Sequence, residues 1–193
     1  WMLANLANER DRPSLSLPQA MAVTDVMQAF GWSGARQIPL TDRETSPNVL
    51  QPGILANSTL TATMTRAAHG SSLADLAVNA SSVEALVESV FLRVLGRPPT
   101  AAESAPSTTA LSVGFAKRLL PADQVKAPTP LPPLPRVTWS NHLRPEANTI
   151  AQVQERRTRD GPPADARLRP EWRELFEDLV WSLVNTREFV WMP

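Results

Sequence analysis

Two short stretches of this 193-residue chain gather side chains that could do chemistry. In "TDRETSPN", Asp42, Arg43 and Glu44 sit beside Thr45, Ser46 and Asn48. An extended backbone would put Asp42 and Glu44 on one face, and paired carboxylates are what a hydrolase uses as acid and base. The same residues also suit a solvated, self-paired turn, since short polar side chains next to Ser-Pro bond their own backbone at helix starts. In "WSNHLRPE", Trp139, Asn141, His142 and Arg144 stand next to Glu146, the densest polar and aromatic cluster in the chain. Such a set would suit a sugar or a carboxylate, and it would equally hold an ordered loop against the body. The structural reading is favoured for both stretches.

Other chemistry is thinly represented. The chain has two histidines, His69 and His142, far apart and without an acidic cluster, so no metal site is expected; structural zinc takes four ligands. There is no Cys, which excludes disulfides, thiol catalysis, thiolate metal sites and covalent haem attachment within these residues. No Gly-x-Ser-x-Gly, phosphate-binding Gly-rich loop or dinucleotide fingerprint occurs. Lys plus Arg equals Asp plus Glu, 19 of each. The basic surplus that nucleic acids or anionic membranes call for is missing, so nucleic acid is not an expected partner. No apolar run is long enough to span a bilayer.

The most sharply punctuated stretch is "VFLRVLGRPPTAAE", residues 90–103. Val83, Leu86, Val87, Val90, Phe91, Val94 and Leu95 follow helical spacing and predict a core helix. Burying seven such side chains is worth on the order of 10 kcal/mol gross. Gly96 suits the left-handed residue that closes a helix, and Pro98-Pro99 stop it continuing. Thr100 and Glu103 have capping-box spacing and restart a helix. Every residue of this joint has a structural role, whereas Arg97 and Thr100 alone make no ligand set.

The elements that must position these stretches are helices. Leu3 to Glu9 reads as a helix end. "SLPQAMAVTDVMQAFGW" reads as a helix capped by Ser16, with Gly31 as its left-handed terminator. Ser33 to Glu44 is irregular, with room for one short strand. A helix is expected from about Pro52 to Ala68, which Asn57, Ser58 and Thr59 could divide in two. Shorter helices follow over Ser71 to Ala80 and about Thr109 to Leu120. "APTPLPPLPR" reads as a polyproline connector. A helix over about Glu146 to Arg157 precedes the closing stretch "RPEWRELFEDLVWSLVNTREFVW", whose Trp172, Leu175, Phe176, Leu179, Val180, Leu183 and Val184 should pack on the Val83 helix.

The resulting expectation is an all-α fold, an irregular multi-helix bundle with long Pro-rich loops. It fits one helical domain over 1–193 with a Pro-rich insertion at about 121–169. The 19 Pro against 7 Gly fit many short helices with rigid joints and a long linker, and the start at Trp1-Met2-Leu3 reads as a piece of a longer protein.

At "FLRVLGRPPTAAE" and "WSLVNTREFVW" the sequence resembles the C-terminal planctomycete PSD-one domain, a domain of unknown function. Gly96, Arg97, Pro99, Thr100 and Glu103 match that family's Leu-Gly-Arg-x-Pro-Thr-x-x-Glu pattern. Val184, Asn185, Glu188 and Phe189 match its closing pattern. Thr45, Ser46, Pro47, Leu50 and Gln51 echo a third, from which Asn48-Val49 and Pro52 depart. The resemblance implies a secreted or periplasmic bacterial multidomain protein, with any haem in an upstream module and no cofactor in this piece. The expected role is a non-catalytic C-terminal module docked on an upstream domain of the same chain, with "TDRETSPN" as its contact. The alternatives are a polysaccharide-binding surface at Trp139, Asn141, His142 and Arg144, and half of a shared hydrolase site at Asp42, Arg43 and Glu44.

Overall fold

In the computed structural model, the structure describes residues 26–31, 46–126, 128–129, 132–133, 137 and 140–191. The expected helix over Leu3 to Glu9, most of the one after Ser16, the irregular stretch from Ser33 to Glu44 and much of the proline strap lie outside these residues. The described residues are helical, and the all-α expectation holds. The chain divides into two compact units, one made of residues 1–63 and 130–161, the other of 64–129 and 162–193.

In the first unit, residues 26–29 are helical and Gly31 takes the left-handed conformation at φ 86°. Asn48 then pins the next helix start. Its Oδ1 accepts from the N–H groups of Leu50 (2.8 Å) and Gln51 (3.2 Å), and its Nδ2 donates to the Ala29 carbonyl. Helix α1 runs Leu50–Asn57 with Pro52 in its first turn, where a missing N–H costs nothing. It stops at Ser58, so the single helix expected to Ala68 is divided: α2 is Thr59–Met64. The reason is local. Ser58 turns extended after α1, its N–H still bonding the Ile54 carbonyl, while its hydroxyl accepts from the Thr61 N–H at 3.1 Å and starts the next helix. Helix α6, Glu146–Asp160, buries Ala147 and Ala151 with Val137 in a small cluster, and Arg157 donates to the Pro132 carbonyl at 2.8 Å.

The second unit holds the main core. Helix α3 (Ser72–Asn79) is capped by Ser71 and α4 (Val83–Leu95) by Ser82, each hydroxyl accepting from an N–H three residues on at 3.1 Å. The α4 stripe is buried as its spacing predicts, with Val94 packed at the edge, and Gly96 closes the helix at φ 70°. Helix α5 runs Ala101–Ser112, eight residues earlier than the expected Thr109 start. Pro106 and the Ser/Thr run hide it from a periodicity search, although the Thr100 cap already marked its beginning. A left-handed Gly114 ends this path, a 3-10 turn spans Phe115–Lys117, and Leu119 faces solvent at its bridge to Leu168 instead of lining a helix.

Helix α7 (Pro170–Val184) closes the core, packing on both α4 and α5. Its Trp172, Phe176, Val180 and Leu183 are buried, whereas Leu175, expected on the same stripe, is exposed. Trp172 stacks on Phe176 with centroids 5.8 Å apart, meets Phe115 edge-on, and donates its indole N–H to the Leu111 carbonyl at 2.9 Å. A short α8, Arg187–Val190, follows after the Thr186 cap.

Arg118 locks the ends of these elements together. Its buried guanidinium donates to the carbonyls of Ala77 (2.8 Å), Val78 (3.1 Å), Ala80 (2.7 Å) and Phe115 (3.2 Å), and lies 3.9 Å above the Phe115 ring. It thereby caps the C-terminus of α3 with a cation, and burial lowers its pKa. A lysine has neither the planar fork nor the stacking face for this task. Arg118→Lys should therefore destabilise the fold by roughly 2 kcal/mol, the cost of buried carbonyls left unpaired. Denaturant unfolding would show it, and a variant as stable as the parent would refute this role.

Candidate functional site

The joint at Gly96–Glu103 is where the matched patterns meet. Glu188 of α8 lies 91 residues away in sequence, yet its carboxylate receives Arg97 Nε at 2.7 Å and Nη2 at 2.6 Å. On the other side, Glu103 receives Nη1 at 2.9 Å and Nη2 at 2.8 Å, and Nη1 also reaches the Pro98 carbonyl at 3.1 Å. A guanidinium has five N–H donors. All five are spent within the fold, so Arg97 keeps none for an anionic substrate.

The Thr100–Glu103 pair closes much as its spacing predicts. The Glu103 carboxylate accepts the Thr100 N–H at 2.7 Å, and it also takes the Thr100 hydroxyl at 2.8 Å. The Glu103 N–H accordingly bonds the Thr100 carbonyl, at 3.1 Å. The Arg97 hydrogen bonds, helped by those from Thr100, hold the Glu103 carboxyl down at about 2. Arg97 likewise lowers Glu188, and the two carboxylates raise Arg97.

Two further polar clusters come from residues that the sequence did not single out. The Asp165 carboxylate is fully buried and accepts the Arg167 backbone N–H (2.9 Å), Nε (2.9 Å) and Nη2 (2.7 Å). Arg167 hydrogen bonds lower the Asp165 pKa in spite of its burial, and Nη2 also reaches Asp75 at 3.0 Å. Glu177 on α7 accepts the Ala67 N–H at 2.9 Å and has Arg173 at 3.3 Å, and its burial raises its pKa. Asp165-x-Arg167 spacing was visible but has no distinctive pattern, and nothing local announces the Ala67 partner of Glu177. Between α3 and α4 runs a shallow groove of about 410 Å³, with Asp75 and Arg93 on its rim and Leu76 and Leu86 beneath. Arg93 there donates to the Ser72 hydroxyl.

The residues first considered for chemistry are placed as follows. Asp42, Arg43, Glu44 and Trp139 lie outside the described residues. Asn141, His142 and Arg144 share one turn, in which the Arg144 N–H bonds the Asn141 carbonyl at 3.0 Å, and Leu143 at its centre is 87% exposed. His69 is exposed at a turn and its backbone N–H bonds the Pro163 carbonyl at 2.8 Å. Among the described residues no group of three or more His, Cys, Asp or Glu could hold a metal ion. No described helix is long and apolar enough to cross a membrane.

Fold and joint together define a class: an all-α module whose signature residues close corners between helices. The family model for PSD1, protein of unknown function (DUF1553), matches residues 3–111, more than half of the chain, and the chain belongs to that family. No curated protein and no solved structure matches it.

The Glu103 pairing makes stability depend on acid. Its folded pKa lies below the ordinary carboxylate value of 4.5, so the stabilisation is complete above that pH and is lost as pH falls toward about 2. Thermal melts of Glu103→Gln should therefore lose less stability than the parent between those two pH values. Parallel losses would contradict the pairing.

Proposed function

We propose that this chain is a non-catalytic helical module that docks on, and completes, an upstream domain of the same polypeptide, in a secreted or periplasmic protein. The observation that carries the reading is the display at the start of α1. Asn48 fixes the backbone there with three hydrogen bonds, while the side chains that follow, Val49 and Leu50, are 86% and 65% exposed. A rigid backbone presenting adjacent aliphatic residues is what an apolar contact uses as its anchor. It directly follows the "TDRETSPN" stretch, whose charges would form the polar rim. The saturation of Arg97 supports the non-catalytic part, because the residues that mark the family spend their hydrogen bonds internally.

A polysaccharide-binding surface is the second reading, favoured by the closed turn that keeps Asn141, His142 and Arg144 together. It requires a glycan that raises the melting temperature of the parent but not of Trp139→Ala.

For docking, the double variant Val49→Asp, Leu50→Asp should melt like the parent and bind the separately produced upstream domain at least about tenfold more weakly. Calorimetric titration measures this. Equal binding by parent and variant would reject this contact, and no binding by the parent would reject the reading.

A further inference from the structure

We propose that residues 162–193 are a docking arm that closes the helical unit as a separate piece would, so the chain can be cut ahead of the arm without losing that unit. The matched segment ends at Leu111, which is itself fully buried and accepts the Trp172 indole N–H. Five of the sixteen buried residues of the main core thus arrive from beyond residue 161: Leu168, Trp172, Phe176, Val180 and Leu183. The arm reaches the core only through residues 130–161, which belong to the other compact unit.

Its attachments run from Asp165 to Glu188. Main-chain bonds join Asp165 to Ala67 (2.9 Å), Leu120 to Arg167 (2.8 Å) and Arg169 to Arg118 (2.8 Å). Side-chain bonds add Glu177 to Ala67 and Glu188 to Arg97. Buried aromatic anchors surrounded by satisfied polar contacts are the anatomy of a stable interface. Tolerance of a cut is set by the burial and bonding of the backbone affected. The turn Ala122–Gln124 is exposed, and its main-chain bond among the described residues runs from the Gln124 N–H to the Pro121 carbonyl at 2.9 Å.

The experiment inserts a site-specific protease sequence after Asp123 of the full chain and cleaves the folded protein. The two pieces should co-elute on gel filtration and unfold together, with a melting temperature that now rises with concentration. In Trp172→Ala the cut pieces should associate at least about a hundredfold more weakly. Should that variant fail to fold before cutting, Glu188→Gln serves in its place and should release the pieces severalfold faster. Separation of the parent pieces on cutting would overturn the proposal. So would an association untouched by both substitutions, since the pieces would then be held somewhere other than the arm.

Discussion

Burial of the α7 face against α4 and α5 is the constraint on which the helical unit depends. Neither helix stripe can leave water alone: α4 offers Leu86, Val87, Val90 and Phe91, and α7 offers Trp172, Phe176, Val180 and Leu183. The polar groups of the unit are arranged so that this burial leaves few orphans. The Trp172 indole finds the Leu111 carbonyl, and Arg118 collects the carbonyls at the end of α3. Buried polar atoms without partners cost more than most contacts contribute, which explains why these bonds accompany the packing.

The charged residues follow the same logic. Arg97, Arg118 and Arg167 each serve several acceptors from separate chain segments, and in each case the guanidinium's fixed fork matches the acceptors around it. Arginine is suited to such corners because one side chain can satisfy up to five acceptors while remaining charged. The Leu-Gly-Arg-x-Pro-Thr-x-x-Glu pattern is thereby explained as a stop, a cap and a clamp in one turn. The clamp also reaches α8 through Glu188, which lies beyond the segment matched by the family model.

How much of this was legible in the sequence depended on the range of the interaction. The α4 and α7 stripes, the Gly96 stop and the Thr100 cap were readable because their signals lie within a few residues of their effects. The division at Ser58 was readable as an alternative, since Asn57-Ser58-Thr59 are poor helix interiors and good caps. The start of α5 is hidden from the periodicity because Pro106 and neighbouring Ser and Thr residues blur it. The distant partners of Arg97, Arg118 and Glu177 could not be read. Glu188, Ala77 and Ala67 lie 91, 41 and 110 residues from them, and nothing near either member of a pair announces the other.

The central claim is that Arg97, bonded to both Glu103 and Glu188, clamps α8 to the joint between α4 and α5. A double-mutant cycle between Arg97→Ala and Glu188→Gln, read by equilibrium unfolding, tests it most directly. The account predicts that each substitution destabilises and that the two effects are less than additive, because either one breaks the same clamp. Two stability-neutral substitutions, or strictly additive losses, would contradict it.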